Sequence, residues 1–289
     1  MQQTNSLASQ PALAEQLQSV FIIAHRESTD QLESILQAEG LTTNVLRQVV
    51  TPELQSYSPS YRCLLNHYNA WQQIAQSPSP VMIIEADFVP ICHFGQAPMP
   101  MPIDDPQAGI TWLYTCASQL YTVTEQGFAE GFSVSTVAYI LTPKAAKALL
   151  DFIQPYAETP ERYSSWDSTL AEFLLKRGFT NYIPFRNYGE HGGIPNPEHR
   201  KHGLSSAHRA DSLYDRLAFQ PPYADNHLNV WKERSQARLK GFGRLLLGRY
   251  LRPKVCFTSS IPLRLLRFAI LRQFSLHLPD ATADRTAST

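Results

Sequence analysis

No run of about 18 consecutive apolar residues occurs in the chain, so no segment is expected to cross a bilayer as a helix. The opening stretch, MQQTNSLASQPALAEQLQ, has no basic part leading into an apolar one and does not read as a secretory leader. Cysteine is scarce. Cys63, Cys92, Cys116 and Cys256 lie far apart with no CxxC spacing, which excludes a zinc knuckle or a disulfide framework and makes a reducing, cytoplasmic setting the expectation. The GxGxxG fingerprint is missing, so binding of NAD or FAD in the usual Rossmann manner is not expected. Charged residues are few at 17%, but a 43% hydrophobic content excludes wholesale disorder.

Net charge is zero, and that zero conceals a division. Positions 1–231 hold 13 basic against 22 acidic residues, a balance of −9, whereas 232–272 hold 11 basic residues against Glu233 alone, a balance of +10. Two regions with different partners are implied: an acidic body and a basic extension. The expected layout is a flexible N-terminus over 1–17, a catalytic domain over 18–231, a basic amphipathic extension over 232–278 and a disordered tail over 279–289.

Along the body, apolar runs alternate with helical periodicity. Ser19 to Ala24 suits a buried strand, and Asp30 with Glu33 has capping-box spacing before a helix that Gly40 closes. Leu46 to Val50 reads as a second strand. A helix over Tyr61 to Gln76 carries Leu64, Tyr68 and Trp71 on one face, and the strand from Val81 runs into Glu85-Ala86-Asp87. Five prolines make Pro90 to Gln107 a loop. Strands are expected at Ile110–Thr115, at Tyr121–Thr124 and within Phe132–Leu141. Thr142-Pro143 starts a helix, another begins near Ser165 or Asp167 and closes at Gly178, and Asn181–Phe185 suits a last short strand. The fold class is therefore α/β, a Rossmann-like mixed or mainly parallel sheet flanked by helices.

In open α/β sheets ligands gather beyond the carboxyl ends of the strands. Glu85 and Asp87 stand at such an end, two residues apart, and a divalent cation carrying phosphate oxygens would relieve their mutual repulsion. A solvated turn would show the same two residues.

The stretch Ser60-Tyr-Arg-Cys63-Leu-Leu-Asn-His67-Tyr-Asn-Ala-Trp71, followed by Val81-Met-Ile-Ile-Glu85-Ala-Asp87, resembles the family 25 glycosyltransferases of lipopolysaccharide biosynthesis. Gly131 to Ala146 and Asp167 resemble later parts of the same pattern. Arg62, Asn66 and Ala86 depart from it, Ala86 standing where the family has the middle Asp of Glu-Asp-Asp. The resemblance implies a GT-A-like fold, a nucleotide-sugar donor of galactose type, a glycan or lipid-linked acceptor, inversion at the sugar, and Mn²⁺ or Mg²⁺. On that basis Asp87 and Glu85 are the candidate metal ligands. Asp167 is the candidate base, and Glu85 either assists Asp87 or holds a metal-bound water. His25, Arg26, Asp87 and His191 are candidates for contacts to the donor's ribose or phosphate.

Two further regions stand out. The polar loop Tyr188–His202 places Glu190, His191, His199 and His202 among paired glycines, suited to a loop over the strand ends and, with a spacing that matches no zinc signature, less suited to a metal. The basic extension mixes leucine and arginine, as in helices that lie on an anionic membrane surface at the inner face; packing against the acidic body is the alternative. No nucleic-acid module accompanies it. Sugar transfer thus stands beside two other readings, a metal-dependent phosphate-ester hydrolase and a non-catalytic membrane-associated scaffold.

Overall fold

A computed structural model describes residues 10–17, 19–49, 51–193 and 208–274. The first helical turn, α1 (Leu13–Gln16), buries Leu13 and is followed by buried Leu17, so this part of the stretch expected to be flexible is packed into the core. Ser19–Ala24 forms β1, an uncharged strand buried from Val20 onward. Such a strand needs partners on both edges. It finds them in β2 (Thr42–Arg47) and β3 (Val81–Glu85), both parallel to it. The second strand thus lies earlier than Leu46–Val50, because Thr42 is what aligns with Ser19; on a half-exposed edge strand no apolar run marks the pairing.

Between these strands run α2 (Asp30–Ala38), α3 (Pro52–Ser56) and α4 (Pro59–Ile74). The capping box expected at Asp30 is not formed: Thr29 is the cap residue and gives its hydroxyl to Glu33 Oε1 at 2.6 Å. Gly40 does close the helix, at φ +85°. Ser58 caps α4, accepting from the Tyr61 amide at 3.2 Å.

Beyond β3 follow β4 (Phe88–Pro90), β5 (Ala108–Trp112), β6 (Gln119–Val123), β7 (Ala129–Phe132), β8 (Ala138–Leu141), α5 (Pro143–Leu149), α6 (Gln154–Ala157), α7 (Asp167–Lys176), β9 (Thr180–Ile183) and β10 (Gly189–His191). The main sheet has eight strands in the order β2-β1-β3-β8-β5-β9-β7-β6, and β10 pairs antiparallel with β4 apart from it. It is a mixed sheet, antiparallel at β8 and across β9-β7-β6. The α/β class read from the sequence is the one observed.

The strand expected within Phe132–Leu141 is β8, and residues 133–137 link it to β7, which ends at Phe132 and has different neighbours. Ser133 Oγ accepts from the Cys116 and Ser135 amides and Ser135 Oγ from the Val137 amide, so side chains satisfy the backbone where it leaves one ladder for the next. Thr142 caps α5 as expected, accepting from the Ala145 amide at 3.3 Å.

Alternation along β3 and β8 feeds two cores. Val81, Ile83, Tyr139 and Leu141 face the layer with α4, α5 and α7, while Met82, Ile84, Ala138 and Ile140 face the layer with α1 and α2. The basic extension forms α8 (His227–Leu246), α9 (Pro253–Thr258) and α10 (Pro262–Phe274), so its first helix crosses the division expected at 231/232. Arg272 is buried, its Nη2 donating to Asp211 Oδ1 at 2.8 Å, and Arg234 reaches buried Glu190 at 3.0 Å. No helix of the described residues is long and apolar enough to cross a membrane.

Candidate functional site

The parallel strands β1 and β3 end side by side, with Ile23 opposite Glu85 and the Ala86 amide donating to the Ile23 carbonyl at 2.9 Å. Their carboxyl ends open into a cleft of about 280 Å³ walled by Ala24, His25, Glu27, Arg62, Cys63, Glu85 and Asp87, among others. The two acids of the Glu-Ala-Asp turn therefore share one cavity.

Glu85 is held from behind by a buried chain of polar groups. Trp71 Nε1–H donates to the Tyr139 hydroxyl at 2.8 Å, and that hydroxyl lies 2.9 Å from His67 Nδ1. His67 Nε2 lies 3.3 Å from Glu85 Oε1, which also accepts from Thr136 Oγ1 at 3.2 Å. A carboxylate only accepts, so the Nε2 that faces Glu85 carries the ring proton, and Nδ1 then accepts from the phenol, whose oxygen takes the tryptophan N–H. His67 and Trp71 are fully buried. The His-x-x-x-Trp spacing on α4 thus serves one purpose: it sets two ring groups one turn apart, against β8, to aim Glu85.

Asp87 is held differently. Its Oδ2 lies 3.0 Å from His191 Nε2, and its backbone carbonyl accepts from the Gly192 amide at 2.7 Å. Burial works against a charged His191, but the Asp87 carboxylate outweighs it and raises the imidazole above its ordinary value. A Cβ on Gly193 would meet Asp87 Oδ2 at 2.4 Å and His191 Nε2 at 2.6 Å, so a side chain there would push the pair aside. The other oxygen, Asp87 Oδ1, is buried with no hydrogen-bond partner among the described residues. A carboxylate oxygen in that state asks for a cation.

The donor set can be tested on these grounds. Cys63 Sγ, a His67 nitrogen and a Glu85 oxygen come within 4.8 Å of one another, a spacing a soft metal could use. Burial pushes the Cys63 thiol well up, however, and both His67 nitrogens are engaged. That trio offers no free donor beyond the carboxylate. The part-exposed Asp87 and Glu85 carboxylates are instead hard oxygen donors lining one cleft, which suits Mg²⁺ or Mn²⁺.

Asp167 begins α7 and does not cap it; Trp166 precedes it, donating from its indole to the Ser60 carbonyl at 3.0 Å. That bond ties the start of α7 to the start of α4; Asp167 is not among the residues that line the cleft, though its charge, like those of Glu85 and Asp87, reaches Cys63. Burial, with the Glu85 charge adding to it, raises the Asp167 carboxyl to about 6.

His25 lines the cleft, and its Nδ1 is buried without a partner among the described residues. Arg26 does not share that wall; it is exposed, on a turn pinned by Glu27 accepting from both the His25 and Arg26 amides. The cation that does stand in the wall is Arg62, with Nε buried and unpartnered among the described residues. Sequence reading registered Arg62 only as a departure from a pattern, since the helical face that carries it cannot be aligned with the end of β1 without the sheet. Glu190 does not accompany His191. Strand alternation turns it to the opposite side, where Arg234 and burial hold it. His199 and His202 lie outside the described residues.

No protein-family model and no curated protein matches the chain. Solved structures with partial likeness include a glycosyltransferase involved in glycosylation of the major capsid of PBCV-1, with TM-score 0.39 and 10% identity over 58% of this chain and 82% of that one. A mannosyltransferase from Pyrobaculum calidifontis, in complex with GDP-Man and Mn²⁺, has TM-score 0.35 and 11% identity over 91% and 89%. A putative glucose-1-phosphate thymidylyltransferase from Bacillus anthracis has TM-score 0.33 and 11% identity over 75% of each. Overlap this loose leaves the fold of the chain to its own strand order and the chemistry to its own cleft.

Proposed function

We propose that the chain is a glycosyltransferase of GT-A type that takes a sugar from a nucleotide-sugar donor in the cleft at the ends of β1 and β3. The observation that carries this reading is the pair of part-exposed strand-end acids lining one cleft, Glu85 oriented by a buried relay and Asp87 by His191. The family 25 resemblance supports it by matching Cys63, His67, Trp71, Glu85 and Asp87, and it suggests a galactose-like donor and a cell-surface glycan or lipid-linked acceptor.

Asp87 and Glu85 would hold the divalent ion, and when bound the ion supplies charge stabilisation to the departing diphosphate. The remaining work falls to the chain. The His67 relay keeps Glu85 an acceptor with a fixed orientation, and His191 does the same for Asp87. Arg62 and His25 line the same cleft and bring a guanidinium and an imidazole beside the two acids, groups suited to phosphate oxygens. Asp167, with its proton affinity raised toward neutrality, is suited to take the proton from the attacking acceptor hydroxyl.

A donor screen by thermal shift, with and without Mn²⁺, tests the reading on the wild type, Asp87→Ala and Glu85→Ala. Metal-dependent stabilisation by a nucleotide sugar, lost in both variants, is the expected result. Phosphate release from simple esters without any acceptor would favour a hydrolase instead. Unchanged donor binding and transfer in both variants would remove the assigned role of the pair.

A further inference from the structure

Helix α8 is packed inside out. Its buried contacts come from Ala237 and Gly241, and a Cβ on Gly241 would meet Asp211 Cβ at 2.7 Å, so small residues let the helix lie close on the body. Its arginines also turn inward: Arg234 to Glu190, Arg238 to the Asp211 carbonyl and Arg244 to the Ser118 carbonyl. The apolar residues are left outside. At 3.6 residues per turn, Leu228, Trp231, Leu239 and Leu246 fall within roughly a quarter turn of one another, and Trp231 and Leu246 are 72% and 85% exposed.

The same inversion recurs on α10. Arg272 points into the core while Leu263, Ile270 and Phe274 face out, Leu263 at 80% exposure. Phe242 and Phe274 meet at 5.0 Å between ring centroids, which joins the two outward stripes into one surface. Lys232, Lys240, Arg249, Arg252, Lys254 and Arg267 are exposed on these helices and the turns between them. No acidic residue occurs between Glu233 and Asp280.

We propose that this outer surface of α8 and α10 docks on an anionic lipid bilayer, with leucine, isoleucine and aromatic side chains entering the interface and the surrounding lysines and arginines meeting lipid phosphates. The sequence leaves the leucine–arginine helices free either to meet a membrane or to pack on the acidic body. The structure takes the inward arginines out of the first role and assigns the contact to one face. A large exposed apolar patch calls for a covering partner. A second copy offering the same face would set the exposed Lys232, Lys240, Arg249, Arg252, Lys254 and Arg267 against their like, whereas an anionic headgroup layer complements them. Trp231, at the amino-terminal end of the stripe, suits the headgroup level where indole rings accumulate. Because Asp211 and Glu190 fix the inward arginines, the apolar face is a standing feature of the fold and needs no rearrangement to be presented.

The test is flotation of the full chain with vesicles of phosphatidylcholine alone and of phosphatidylcholine mixed with phosphatidylglycerol, at low and high salt. Partitioning onto the mixed vesicles should exceed that onto the neutral ones by about tenfold or more at low salt and fall as salt rises. Trp231→Ser with Leu246→Ser should lower binding to the mixed vesicles about tenfold, and Lys240→Gln with Arg267→Gln should lower it while reducing the salt dependence. All four sites are exposed, so unfolding midpoints should not move. Equal binding to neutral and anionic vesicles would overturn the proposal, as would full binding by both double variants. A concentration-dependent dimer in lipid-free sedimentation, dissolved by Trp231→Ser with Leu246→Ser, would assign the face to a second copy instead.

Discussion

Asp167 and Tyr139, which lie outside the cleft lining, show how single side chains are tuned by what surrounds them. The Asp167 carboxyl rises from its ordinary 3.8 to about 6, so the folded state binds its proton more tightly than the unfolded state does. The associated stability is fully present below the unfolded value and is lost as pH climbs through about 6. Asp167→Asn is therefore expected to raise stability above pH 6 by on the order of 2 kcal/mol, with the gain vanishing near pH 4; urea melts at the two pH values check it. The same variant should lose about a hundredfold or more in transfer rate if Asp167 is the base, and the wild-type kcat/KM should fall below about pH 6. Tyr139→Phe removes the hydroxyl that serves both Trp71 and His67, stranding a buried indole N–H and an imidazole nitrogen. A loss of roughly 1–3 kcal/mol is expected, together with lower turnover once Glu85 loses its fixed tautomeric partner. A denaturant midpoint unchanged in this variant would show that the chain of hydrogen bonds does not hold the site.

Among the elements, α10 is the one whose removal from the body should be felt furthest. Arg272 is 1% exposed, and its guanidinium donates twice to Asp211, which also accepts from Gln273 and Asn187. Burial alone would raise the Asp211 carboxyl, but the facing Arg272 outweighs it and holds the group below its ordinary value. Arg272→Leu would leave that carboxylate buried without its counter-ion, at a cost of about 3–5 kcal/mol. Equilibrium unfolding should show the drop, and pairing the change with Asp211→Asn should recover part of it. Helix α4 is the other element whose two ends matter. Ser58 fixes its start, and its third and fourth turns deliver His67 and Trp71 to β8. Its amphipathic spacing was readable in the sequence, since a repeat at three and four residues can bury only one face. That the polar members of that face would reach a tyrosine on a strand 68 to 72 positions later was not readable, because antiparallel pairing of β3 with β8 is a non-local fact.

For the molecule as a whole, ligand binding should report on the cleft through stability. A donor and a divalent ion bound only by the folded state would add about 2.7 kcal/mol at a hundredfold excess over Kd, a rise of several degrees in Tm for a chain of this size. A chelator should abolish that rise and Mn²⁺ restore it; a donor shift indifferent to chelation would separate sugar-nucleotide binding from Asp87 and Glu85. From the order of residues alone came the α/β class, the helix starts at Thr142 and near Ser165 or Asp167, the glycine stops at Gly40 and Gly178, and the candidacy of Glu85 and Asp87, because caps, breakers, periodicity and a strand's end are local features. Only tertiary structure decided which strands are neighbours, that Arg62 rather than Arg26 shares a wall with the two acids, and that the basic helices turn their arginines in and their leucines out. Those outcomes depend on burying specific charges beside specific partners far away in the chain, and composition or spacing carries no record of such pairings.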